Sequence, residues 1–146
     1  MGVLTDFVVA NSSDAKEVAD CLDPSGELGG VAAKGIDQVK MGTLYAILTG
    51  TEYDPEFMLT DDSFLHTADE DGSWVQLVPP DMVSRLSSLS DSEIPRISKE
   101  WGQTEEFDPK YCGWSSEDIE SFLQEIAGLS RRARSEGKSV LMWTSL

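Results

Sequence analysis

Near the end of the chain, Ile119, Phe122, Leu123, Ile126, Leu129 and Ala133 recur at steps of three and four residues. An α-helix turns once per 3.6 residues and brings all six to one side, whereas a strand would scatter them over two faces. Ser115 with Asp118 has the Ser-x-x-acid spacing of a helix start, and Gly137 suits a left-handed stop. Arg131, Arg132 and Arg134 fall in the last turns, where cations offset the negative end of the helix dipole. A helix with one apolar stripe needs a second layer to bury it. Strand-forming runs that can supply that layer stand at Leu4–Ala10, Ser73–Val78 and Val140–Thr144. The sequence thus predicts an α+β fold: a small, mainly antiparallel sheet covered by helices, its long amphipathic C-terminal helix followed by a terminal strand. Residues 1–146 are read as a single domain. Strand order is not legible.

Between these landmarks the chain is punctuated clearly. Asn11-Ser12-Ser13-Asp14 supplies cap residues for a short helix over Ala15–Leu22, and Asp23-Pro24-Ser25-Gly26 reads as a turn. A second helix is expected over Asp37–Thr49 with Val39, Leu44, Ile47 and Leu48 inward and Gly50 as its left-handed cap. Residues 51–72 read as an irregular acidic loop, long enough to suggest function or mobility. In the strand that follows, Trp74, Gln76 and Val78 share one face, and Val75 and Leu77 the other. Pro79-Pro80-Asp81 opens a helix through Val83, Leu86 and Leu89, and Ser90 with Glu93 opens another that reaches Trp101.

Composition narrows function. The 146 residues carry a net charge of -16, with 40% hydrophobic residues and four tryptophans, which argues against disorder. Such a balance disfavours nucleic acid, whose phosphates require clustered Lys/Arg, and anionic membrane surfaces for the same reason. No apolar run approaches the roughly 20 residues needed to span a bilayer, and no charged-then-apolar leader opens the chain. Two cysteines, Cys21 and Cys112, are too few for a disulfide scaffold. The expectation is a cytoplasmic protein.

The charge is unevenly placed. From residue 41 to residue 84 there is no lysine or arginine, yet nine of the 27 acidic residues lie there: Glu52, Asp54, Glu56, Asp61, Asp62, Asp69, Glu70, Asp71 and Asp81. Tyr53, Phe57, Phe64 and Trp74 are interleaved with them. A local echo accompanies this window. Glu52-Tyr53-Asp54-Pro55-Glu56-Phe57 and Glu106-Phe107-Asp108-Pro109-Lys110-Tyr111 share the form Glu–aromatic–Asp–Pro–x–aromatic. The simpler reading, and the preferred one, is a shared turn: Asp caps local N–H groups, Pro fixes φ, and the aromatics anchor the loop. The sharper reading is a pair of acidic-aromatic loops at one end of the molecule, forming a site for a cationic group.

Other motifs fall short. Asp69-Glu70-Asp71-Gly72 has part of a calcium loop, but the twelfth position is Val78 and the bidentate glutamate is missing; a hairpin-like turn is the better reading. His66 is the only histidine and has no sequence relation to either cysteine that proposes a nucleophile pair or a zinc site. Gly26, Gly29 and Gly30 lack the Lys-Ser/Thr of a phosphate loop. No catalytic residue, metal site or cofactor is assigned.

Met1-Gly2-Val3, the run Leu44-Tyr45-Ala46-Ile47-Leu48-Thr49-Gly50, Val78-Pro79 leading to Val83 and Leu86, and the closing Ala133…Gly137…Val140 pattern together resemble the YfbM-like bacterial proteins, a family of unknown function. Lys40-Met41 departs from that pattern, which has a Trp entering the central helix. The resemblance implies a small α+β cytoplasmic domain and carries over no catalytic residues.

The function expected from the residues is an acidic, non-enzymatic binding protein engaging a basic protein partner, an immunity or inhibitor protein being the concrete version. Glu52, Tyr53, Asp54, Asp61, Asp62, Trp74, Glu106 and Phe107 are its candidate contacts. The alternatives are a small carboxylate-based enzyme, with or without a divalent metal, and a homo-oligomer whose charge keeps it soluble.

Overall fold

The first and last strands of the chain, β1 (Leu4–Ala10) and β5 (Ser139–Ser145), pair antiparallel along their whole length, from Leu4 opposite Ser145 to Ala10 opposite Ser139. The computed structural model describes residues 4–67 and 73–145. Among these, β2 (Val31–Ala32), β3 (Phe64–Thr67) and β4 (Trp74–Leu77) complete an antiparallel sheet of order β2-β1-β5-β4-β3. Alternation of side chains along a strand sends Phe7, Val9, Val140 and Met142 to one face, and Val8, Ala10, Val75, Leu141 and Trp143 to the other.

The two faces are covered unequally. A single short helix, α1 (Ala15–Ala19), lays Ala15 and Val18 on the second face. The first face carries the main core, beneath α4 (Pro80–Ser87), α5 (Glu93–Gly102) and α6 (Ser116–Glu136). Helix α2 (Pro24–Leu28) lies against β1, and α3 (Gln38–Thr49) packs on α5. All six residues of the apolar stripe on α6 are buried. Removing its Ile, Leu and Phe side chains from water is worth about 1.5–3 kcal/mol each, which makes that stripe the main anchor of α6 in the core. Its start is the expected reciprocal box, Ser115 Oγ accepting from Asp118 N at 3.1 Å and Asp118 Oδ2 from Ser115 N at 2.9 Å. A chain of rings runs through this core: Phe7, Phe122, Trp101 and Phe107, with centroid steps of 5.6, 5.9 and 4.9 Å.

The expected fold is present, and local differences have local causes. The helix expected over Ala15–Leu22 stops at Ala19, because Leu22 finds nothing to pack on and stands 96% exposed. The turn expected at residues 23–26 is the first part of α2: Asp23 caps it by accepting from Gly26 N, and Pro24 takes the first helical position, where a missing N–H costs nothing. β2 is too short to show any alternation. β3 lies inside the segment read as loop, and a bulge between Phe64 and His66 breaks its period against β4. In α3, Asp37 caps and Gly50 ends the helix at φ 68° as expected, and Leu44 is buried, but Val39, Ile47 and Leu48 are only half-buried while Met41, unforeseen, is fully buried.

Candidate functional site

The two echo motifs fold into the same turn. Asp54 Oδ1 accepts from Glu56 N at 2.9 Å, and Asp54 O from Phe57 N at 3.0 Å. Asp108 Oδ1 accepts from Lys110 N at 2.9 Å, and Asp108 O from Tyr111 N at 2.8 Å. The simpler reading of the echo is therefore correct for the backbone. The rings are used differently. In the first turn Phe57 is buried and stacks on Tyr45 with centroids 5.0 Å apart, while Tyr53 stays 38% exposed. In the second, Phe107 is 3% exposed against Trp101, and Tyr111 is 84% exposed.

The fold also brings the two turns together. Tyr53 lies across Gly42 of α3 so closely that a Cβ there would meet its ring at 2.7 Å. Partial burial raises the Tyr53 phenol above its ordinary pKa, and the neighbouring carboxylates of Glu106, Asp37 and Asp54 add to the rise. These three acids come from the second turn, the cap of α3 and the first turn, and α3 is the element that both turns touch, Tyr53 at Gly42 and Phe107 beneath Lys40. Lys40, on the same helix, holds its Nζ over the Phe107 ring at 5.6 Å. The Trp101 indole N–H fixes this end of α3 by donating to Lys40 O at 2.9 Å and Thr43 Oγ1 at 3.1 Å. Phe107 is thus the floor of this region and not part of its surface.

Asp61 and Asp62 form a 3₁₀ turn that enters β3, both exposed. Trp74 is half-buried on β4 and linked to the acidic segment through Gln76. Its indole N–H donates to Gln76 Oε1 at 3.3 Å, and the buried Gln76 amide donates to Met58 O at 2.7 Å, holding Met58 at φ 60°. Gln76 ties the acidic segment to the sheet, a role its apolar neighbours in the sequence conceal. The Asp69–Gly72 motif lies outside the described residues.

Among the described residues, ion pairs join Arg85 to Asp81 and both Arg132 and Lys138 to Glu136. None involves Glu52, Asp54, Asp61, Asp62 or Glu106. Among the described members of the acidic window, Asp81 is the compensated one: the Tyr45 hydroxyl donates to it at 2.6 Å and Arg85 Nε at 2.8 Å. These two bonds hold its carboxyl below the usual range, and the bond to Asp81, helped by partial burial, raises the Tyr45 phenol against the opposing charge of Arg85. The arginines of α6 bind main-chain carbonyls, the Ser87 hydroxyl and Glu136. Arg131 donates to the carbonyls of Ser87 and Leu89, Arg132 to that of Gly29, and Arg134 to Ser87 Oγ. Cys21 and Cys112 are free thiols, and His66 pairs with Val75 in the sheet. Among the described residues, no three His, Cys, Asp or Glu side chains converge on a metal position, and no helix is long and apolar enough to cross a membrane.

The chain matches no protein-family model and no curated protein. It does match a solved structure, the protein of unknown function YfbM from Escherichia coli, at 19% identity over 97% of this chain and 99% of that one, with a TM-score of 0.43.

Proposed function

We propose that this is a non-enzymatic binding protein whose acidic, ring-bearing loops engage a basic protein. The observation that carries the reading is the uncompensated state of the exposed carboxylates of Glu52, Asp54, Asp61 and Asp62: none has an ion-pair partner among the described residues. Arg85 is committed to Asp81, and the arginines of α6 to Glu136, main-chain carbonyls and the Ser87 hydroxyl. One-signed potential over such loops accelerates encounter with a cationic surface and rejects anionic ones. Tyr53, beside Glu106, Asp37 and Asp54, offers a ring face that an arriving guanidinium or ammonium can cover. An inhibitor of a cationic toxin or nuclease is the concrete form of this reading.

Capture from a bacterial lysate tests it. The immobilised protein should retain a basic protein at low salt and release it as salt rises past a few hundred millimolar, where the Debye length shrinks to several ångströms. Retention that ignores salt, or that survives charge reversal at Asp61 and Asp62 undiminished, would overturn the proposal.

A further inference from the structure

The sheet ends on one side in β3, and the outer edge of that strand is open. Among the described residues, Phe64 N donates to Asp61 O of the preceding 3₁₀ turn, residues 65–67 make backbone hydrogen bonds only to β4, and no side chain bonds to the main chain of 64–67. The opposite edge, β2, is two residues long. Natural sheets guard an open edge with lysine, proline, a bulge or a cover. β3 has the bulge, between Phe64 and His66, but no lysine or proline. What precedes it is the exposed pair Asp61 and Asp62, with Leu59 also 46% exposed.

From this we infer that β3 is a docking edge, and that an extended basic segment of the partner adds to it as a further strand. The inference rests on the binding function proposed above and names its mode. Strand addition draws affinity from main-chain hydrogen bonds and selectivity from the side chains around the edge. Here the adjacent charge is negative and uncompensated, which selects lysine- or arginine-bearing segments. The same charge disfavours the other obvious occupant, a second copy of this chain. Pairing two β3 edges would join bodies of net charge -16 each and bring two Asp61-Asp62 pairs into one interface.

The probe is a heptapeptide of alternating lysine and valine, compared with the same peptide methylated on every backbone amide. Both carry the same charge, but only the first can pair with a strand. At low salt the unmethylated peptide should slow amide exchange at Phe64–Thr67 at least ten-fold and bind at least ten-fold tighter than its methylated form. Asp61→Lys with Asp62→Lys should abolish both bindings. Equal binding of the two peptides with unchanged exchange at β3 would remove the docking edge while leaving the electrostatic reading intact. Failure of both peptides to bind, with lysate capture still salt-sensitive, would also overturn the inference alone. Exchange at β3 that slows with protein concentration and no peptide would assign the edge to a second copy. Loss of salt-sensitive capture as well would strike the parent reading.

Discussion

The turns at Asp54 and Asp108 were written with the same six-residue pattern, and their backbones obey it to within a few tenths of an ångström in each hydrogen bond. Their rings do not. The first turn buries its second aromatic, Phe57, and leaves Tyr53 part-exposed; the second buries its first, Phe107, and leaves Tyr111 in solvent. Local chemistry decides the turn, because Asp and Pro act on atoms two or three residues away. Neighbours brought by the fold decide the ring: Tyr45 and Gly42 receive Phe57 and Tyr53, and Trp101 receives Phe107. A short repeat can therefore give two loops one geometry and two different surfaces.

The contrast is sharpest in stability. Phe107→Ala should cost about 3–5 kcal/mol, the range for deleting a buried ring, whereas Tyr111→Ala should lie within about 0.5 kcal/mol of the parent. Urea unfolding measures both, and similar costs would break the comparison. Next in size is Gly42→Ala. Gly to Ala within a helix ordinarily stabilises by roughly 0.5–1 kcal/mol; here the added Cβ meets the Tyr53 ring at 2.7 Å. Overpacking of this kind costs about 1–3 kcal/mol, so thermal unfolding should show a net loss, and a stabilised variant would contradict the close seat of Tyr53. Asp54→Ala and Asp108→Ala should each lose about 1 kcal/mol, the worth of one such hydrogen bond, and by similar amounts, since the bonds they remove are the same.

The smallest effect concerns protons. Tyr53 and Tyr45 both have raised phenol pKa values in the fold, Tyr53 chiefly through burial and Tyr45 chiefly through its bond to Asp81. A raised pKa means folding favours the protonated phenol. Its stabilising effect is complete below the ordinary value near 10 and is lost as pH rises through the shifted one. Glu106→Gln should lower the Tyr53 titration seen by NMR of its ring and leave that of Tyr45 in place. A Tyr53 titration indifferent to Glu106 would mean that the two turns do not meet.

The parts of this molecule legible in its sequence are those governed by one period or one local rule. The stripe from Ile119 to Ala133 fixed α6 without reference to anything else. Asp37 and Gly50 bounded α3 in the same way. β3 was hidden because four residues with a bulge show no alternation, and α2 because Asp-Pro-Ser-Gly serves a turn and a helix start equally well. Of the candidate contacts, exposure of Glu52, Asp54, Asp61 and Asp62 followed from charge alone. That Phe107 lies inside, that Tyr53 seats on Gly42, and that Gln76 holds Met58 all depend on contacts between distant segments, which no local pattern encodes.

Position-matched charge reversal tests the central claim most directly. Asp61→Lys with Asp62→Lys, and Glu117→Lys with Glu125→Lys on the exposed side of α6, change net charge by the same amount at different places. With the captured basic protein as ligand, calorimetric titration at low salt should show affinity falling at least ten-fold for the loop pair and less than three-fold for the helix pair. Equal losses from both pairs would mean that total charge, and not this surface, does the binding.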